Sequence, residues 1–160
     1  MTRRYARAPH DQRAYGYVPR NYGKRTTLIA SMTTEGMGPA MLLEGASDTA
    51  AFTVYIRDCL CPSLKTGQTV LMDNLSSHKA PAIREYIEAA QCHLLFLPTY
   101  SPDFSPIEPA FAKLKEYLRA VGARTQDALD KAIAQGLDAI TRHDAQGWFR
   151  HSGYRTSVAN

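Results

Sequence analysis

Apolar positions recur along the chain with two periods, and their order predicts its elements. Thr26 to Thr33 (TTLIASMT) reads as a strand, Glu35-Gly36-Met37-Gly38 as a turn, and Ala40 to Glu44 as a second strand, together a hairpin. Ser47 or Asp48 can cap a helix running to about Leu60, with Phe52, Ile56, Cys59 and Leu60 on one face and Pro62 just beyond it. Thr69 to Met72 (TVLM) is a short apolar strand that stops abruptly at Asp73. Ser77 can cap a helix from Lys79 to Ala90, with Pro81 in its first turn and Ile83, Ile87 and Ala90 inward. His93 to Leu97 (HLLFL) is the next strand, followed by a loop holding Pro98, Pro102 and Pro106. Ile107, Phe111, Leu114, Leu118 and Val121 then mark one face of an amphipathic helix that Gly122 can end. A further helix starts at Thr125 and buries Leu129, Ile133, Leu137 and Ile140, and a short Trp148–Phe149 segment closes the chain. A hairpin, then strand and helix alternating twice, then helices: the pattern predicts an α/β domain with a mixed sheet flanked by helices.

Composition narrows the class. The 160 residues, 44% hydrophobic and 21% charged, suit one soluble domain, or slightly less than one, with a buried core. No apolar run approaches the ~18 residues that a membrane span needs. The basic N-terminus has no apolar segment behind it and so does not read as a secretory signal, which makes a cytoplasmic protein the expectation. Cys59, Cys61 and Cys92 are odd in number and lack zinc spacing, so free thiols are expected.

Charge is unevenly spread. Residues 1–25 hold Arg3, Arg4, Arg7, Arg13, Arg20, Lys24 and Arg25 against the single acid Asp11, a net +6 within a chain total of +4. Tyr5, Tyr15, Tyr17 and Tyr22 are interleaved with them. Cations that neutralise phosphates beside rings that stack on bases make a nucleic-acid footprint; a solvated basic arm with tyrosines packed on a sheet has the same composition.

Two acids stand out. Asp73 ends an apolar strand, the edge at which open α/β sheets hold ligands, although an Asp can also simply end a strand and turn the chain. Glu108 has a good structural alternative, because Ser105-Pro106-Ile107-Glu108 has the spacing of a capping box in which its carboxylate would reach back to the Ser105 amide. As a pair they carry more weight. If the strands ending near Asp73 and Leu97 are neighbours, both carboxylates converge on one sheet edge, as a pair of Mg²⁺ ions requires.

The strings around these acids resemble a known family. Leu71-Met72-Asp73-Asn74-Leu75-Ser76-Ser77-His78-Lys79 is similar to the motif around the second acid of insertion-sequence-630-type transposases of the mariner-like superfamily. Phe96 to Glu108 (FLPTYSPDFSPIE) resembles their signature ending in the third acid, and the 34 intervening residues match the family's gap. Ala112-Lys113-Leu114-Lys115 and Phe149-Arg150-His151-Ser152-Gly153-Tyr154 resemble family sequence too, so the likeness runs from about Thr2 to Tyr154.

The resemblance implies a ribonuclease-H-like fold, with residues 1–160 as a single, N-terminally incomplete DDE catalytic domain and residues 1–25 as a basic, Tyr-rich segment within it. It implies two Mg²⁺ or Mn²⁺ ions, with Asp73 as second acid, Glu108 as third, and Asn74 and His78 orienting ligands or DNA, although His78 also suits a helix start. Asp103 matches the motif but reads as a turn residue among prolines. The family's chemistry is metal-dependent DNA cleavage and strand transfer, its partners transposon-end and target DNA, together with a second copy or a full-length transposase. The family's first acid, which belongs to its first strand, has no match here: Asp11 lies in a loop-like stretch and Asp48 reads as a helix cap. The expectation is therefore a sheet lacking that strand and a chain inactive on its own. Two other readings stay open: a non-catalytic DNA-binding remnant that regulates intact transposase, and a ribonuclease-H-like nuclease unrelated to transposition.

Overall fold

Two short backbone ladders organise the chain, and the helices pack on them. The computed structural model describes residues 7–15 and 24–155. Strand β1 (Thr26–Thr33) pairs antiparallel with β2 (Gly36–Glu44), from Thr26 opposite Glu44 to Thr33 opposite Gly36, with an irregularity between Ala30 and Met32. The second strand begins four residues earlier than its apolar run predicts, because the reversal is compressed into Thr34-Glu35. Gly36, at φ 133°, adopts a backbone conformation closed to residues with a side chain. Strand β3 (Thr69–Met72) pairs parallel with β4 (His93–Phe96), Thr69 opposite His93 and Met72 opposite Phe96. The mixed α/β character is as expected, but the predicted mixed sheet is divided: among the described residues the two ladders are separate two-stranded sheets.

Between the ladders runs a helical segment that changes pitch. Helix α1 (Thr49–Val54) is capped by Asp48, whose side chain accepts from the Ala51 amide at 2.8 Å. It widens into a π-helical turn, Tyr55–Leu60, and ends in a 3-10 turn at Cys61–Ser63. Phe52, Ile56 and Leu60 are buried as their spacing predicts, while Cys59 is only half-buried. Tyr55, absent from the predicted face, is 2% exposed; its hydroxyl donates to the Pro39 carbonyl at 2.9 Å, and burial pushes its pKa up to about 12. The three cysteines are free thiols.

Helix α2 (Pro81–Ala89) corrects another expectation. Ser77 caps nothing: Ser76–His78 is a separate 3-10 turn, and Ala80 is the residue before the helix. Pro81 disfavours helical geometry at Ala80, so the helix can begin no earlier than the proline itself. Ile83 and Ile87 are fully buried and join Phe52, Tyr55, Ile56, Leu60, Met72 and Cys92 in one core.

A second core lies among the later helices. Helix α3 (Ile107–Val121) stops where Gly122 turns left-handed at φ 61°, and α4 (Gln126–Asp138) starts from the Thr125 cap. Leu114 and Leu118 of α3 meet Ala132 and Ile133 of α4, and β1 serves both cores, Ile29 against the first and Leu28 against the second. The Trp148–Phe149 segment proves to be part of a helix, α5 (Arg142–His151), held by a capping box between Thr141 and Asp144. Lys113 of α3 reaches the same Asp144 carboxylate at 2.6 Å. Among the described residues no helix is long and apolar enough to cross a membrane.

Two predictions follow from this packing. A methyl group at Gly136 would sit 2.5 Å from Leu114 Cδ1 and 2.9 Å from the Tyr117 ring, so α4 approaches α3 only because it lacks a side chain there. Gly136→Ala should therefore destabilise by about 1–3 kcal/mol in urea unfolding, despite the gain in helix propensity. Asp144 is held down to a pKa of about 2, chiefly by the Lys113 ammonium and then by Thr141. A depressed carboxylate stabilises fully above its ordinary range near 3.8 and loses that contribution as pH falls through about 2. Asp144→Asn should lower Tm by about 2–4 °C at pH 7, as loss of a helix cap does, with the gap to the parent chain closing near pH 2.

Candidate active site

Asp73 follows the last residue of β3, so the ladder itself aims it. The Leu97 amide donates to the Met72 carbonyl at 2.7 Å, extending the β3–β4 pairing to the point where both strands end. The polypeptide leaving β4 thus starts beside Asp73, and the Asn74 side-chain amide donates to the Thr99 hydroxyl at 3.1 Å, tying the two exits together. Asp73 Oδ1 accepts a long bond of 3.3 Å from the Leu75 amide, so the turn-forming role is present in part. The carboxylate keeps 52% of its side-chain surface exposed.

His78 is the group that meets it. The 3-10 turn at Ser76–His78 swings the imidazole back so that Nδ1 lies 2.5 Å from Asp73 Oδ1. The approach is close but badly aligned, and the buried Nδ1 makes no true hydrogen bond. On its flat side the ring stacks on Phe52, with centroids 3.9 Å apart and planes 22° apart. Only 18% of the His78 side chain is exposed. Its rotamer is therefore fixed by core packing rather than by the helix-start role that the sequence also allowed.

Glu108 lies in the first turn of α3, and the alternative that weakened its candidacy is not realised. The residue preceding the helix is Pro106 rather than Ser105, and no side-chain cap forms; only the Glu108 amide bonds back, to the Ser105 carbonyl at 3.2 Å. Pro106 itself carries helical angles, φ −63° and ψ −18°. The Glu108 carboxylate is exposed, in a helix turn that favours negative charge. Among the described residues neither Asp73 nor Glu108 is ion-paired to a lysine or arginine.

Both acids line one cleft of about 640 Å³, together with His78, Ser105 and Phe149. Its walls beyond the acids are mainly apolar and come from β1 and β3, from Phe52, Tyr55, Ile56 and Leu60 of the helical segment between the ladders, and from Ile107 and Phe111 of α3. The loop between the acids is braced from outside: Pro102–Phe104 forms a 3-10 turn, and the Tyr154 hydroxyl donates to the Phe104 carbonyl at 2.8 Å. Asp103 sits in that turn, as its proline neighbours predict. The spacing that puts Phe52 on an inward helix face does not reveal its stack on His78, nor does the motif around Tyr154 reveal its bond to Phe104. Among the described residues no cluster of three or more His, Cys, Asp or Glu side chains is arranged to hold a metal ion.

The basic residues are divided. Arg7, Arg13, Lys24 and Arg25 are exposed, while Arg3, Arg4 and Arg20 lie outside the described residues. Lys24 is engaged with Glu44 at 2.8 Å, and that hydrogen bond raises its pKa. Tyr15 is 90% exposed; Tyr5, Tyr17 and Tyr22 lie outside the described residues.

This arrangement has relatives. Residues 1–130 match the model of the DDE superfamily endonuclease family. The transposable element Tc1 transposase of Caenorhabditis elegans is 27% identical over 112 residues, which are 68% of this chain and 41% of that protein. The Mos1 transposase paired-end complex with left transposon end superposes with a TM-score of 0.75 at 20% identity, covering 94% of this chain and 47% of that one. The Mos1 mariner paired end complex with Mn gives a TM-score of 0.70 at 20% identity over the same shares. The chain thus spans a little under half the length of these relatives. With its expected fold matched by mariner transposases, the chain belongs to the DDE superfamily endonuclease family.

Proposed function

We propose that this chain is the metal-binding core of a mariner-like transposase and that Asp73 and Glu108 are two of its cation ligands. The observation that carries this reading is that two carboxylates, without lysine or arginine ion-pair partners among the described residues, line one cleft. Carboxylate oxygens are the hard donors that Mg²⁺ and Mn²⁺ take, and the imidazole beside Asp73 leaves its Nδ1 without a hydrogen-bond partner. The donor set therefore fits such cations. Bound there, a divalent cation would polarise a phosphoryl oxygen and lower the pKa of an attacking water. The chain's own residues do the rest: His78, stacked on Phe52, packs beside Asp73, and Asn74 ties the exit of β3 to the loop leading to Glu108. Arg7, Arg13 and Arg25, with Arg3, Arg4 and Arg20, would neutralise backbone phosphates. Mos1 complexes with transposon-end DNA and with Mn support nucleic acid and a divalent metal as ligands, and pairing with a second or longer transposase chain is part of the same reading.

Two carboxylates hold such ions weakly without a third. The chain by itself accordingly binds DNA without cutting it. This brings the second reading, a DNA-binding regulator of intact transposase, close to the first.

Calorimetric titration with Mn²⁺ tests the pair. Weak binding should be seen and should be lost in both Asp73→Asn and Glu108→Gln, but kept in Asp103→Asn, whose carboxylate sits in the bracing turn. Equal behaviour of all three variants would end the assignment. On DNA carrying the element's ends, with Mg²⁺ or Mn²⁺, the chain should nick no faster than Asp73→Ala. Clear cleavage lost in that variant would overturn the inactivity while upholding the ligand. Binding should weaken steeply with salt, and replacing Arg7 and Arg13 by Gln should flatten the log–log slope by about 2.

A further inference from the structure

Helix α5 borders the cleft, and packing inside the chain does not account for its outward face. Phe149 lines the cleft and Ala145 and Ser152 are buried, whereas Arg142, His143, Arg150, His151 and the following Arg155 are exposed. Two charges of this stretch are already engaged. Arg142 pairs with Glu35 at 3.2 Å, and Asp144, the only acid between residues 142 and 155, is held by Lys113. Among the described residues Arg150 and Arg155 have no acidic partner. The Arg150 Nε donates to the Gln146 carbonyl, one turn back in its own helix, at 3.3 Å. Gly147 stands four residues after His143 and three before Arg150, so the three share one face. Glycine is the least favourable residue in a helix interior after proline. Gly136 of α4 has an internal reason, since a side chain there would strike Leu114. Gly147 has none: a Cβ on it would meet nothing within 4 Å beyond its chain neighbours and its own helix backbone.

A helix face with N–H donors at both ends and no side chain in the middle suits a linear polyanion that must come close. His143 and Arg150 are about 10 Å apart along the helix axis. That span matches two or three phosphates of one DNA strand, at about 3.4 Å of rise each. An apolar partner surface would find no anchor on this face, whose exposed side chains are polar or charged. We infer that the outward face of α5 is a second DNA-backbone contact, separate from the basic residues 1–25. In it Arg150 binds a phosphate, and Gly147 lets the strand approach the helix backbone. This contact rests on the reading of the chain as a transposase core and extends it: Phe149 lines the cleft, so a strand held by the next residue, Arg150, lies at the entrance to the acids.

Fluorescence anisotropy of the whole chain on a labelled duplex carrying an element end, read across a salt series, tests it. Arg150→Gln leaves the helix interior untouched; it should weaken binding about five- to ten-fold at low salt and lower the log–log slope by about 1. Arg84→Gln removes the same charge from α2, where Arg84 pairs with Glu88, and should change affinity by less than about two-fold. Gly147→Gln should raise Tm, because glutamine is the better helix former, and yet weaken DNA binding about ten-fold. A glycine with only a structural role would not move the two in opposite directions. If Arg150→Gln and Gly147→Gln both bind the duplex like the parent chain, the inference is overturned while the transposase reading stands. Self-association lost in Gly147→Gln would then assign the face to a second copy of the chain. Equal losses in Arg150→Gln and Arg84→Gln also overturn it, since overall charge and not this face then sets the affinity. If the parent chain has no salt-dependent affinity for the duplex, the reading and the inference fall together.

Discussion

The pairing of β3 with β4 is the constraint on which the site depends. Eight backbone residues in fixed parallel register, closed by the bond from the Leu97 amide to the Met72 carbonyl, bring two distant stretches of chain out side by side. Everything that follows is local. Asp73 is placed because it is the next residue after the ladder, and Glu108 because a proline-stiffened loop of limited reach delivers it to the first turn of α3. A one-residue slip in the ladder would turn the apolar side chains of β3 to the wrong face and move Asp73 off the cleft. The apolar run Thr69–Met72 therefore positions the acid that follows it.

Much of this was legible in the amino-acid sequence, for identifiable reasons. Strands β1 and β3 begin and end where their apolar patterns do, because turn residues or an acid bound them. Gly122 and Thr125 mark helix ends by mechanisms that act within one turn of chain, and both act as read. Local capping was also where expectation failed. Ser77 and Ser105 have the right spacing to cap, but Ser77 lies in a separate 3-10 turn ahead of Pro81, and Pro106 precedes α3 with no side-chain cap formed. Helix α5 escaped notice because its apolar positions are few, although Thr141 and Asp144 carry a capping box in plain view.

What periodicity could not supply was tertiary. The stack of Phe52 on His78 joins residues from separate elements, and neither pattern nor spacing announces it. Tyr55 stands three residues after Phe52, on the same helical face, and what spacing does not announce is the bond from its hydroxyl to Pro39 in another element. The separation of the two ladders agrees with the expectation of a sheet lacking its first strand, which came from the family resemblance and not from periodicity.

The hydroxyl of Tyr154 spans fifty positions of sequence to reach Phe104, with its ring set edge-on against Phe149. The tail of the polypeptide is thereby a strut under the segment that carries the acid. Loosening of the Tyr154 contact would be transmitted to the loop that leads to Glu108 without altering any residue of the cleft.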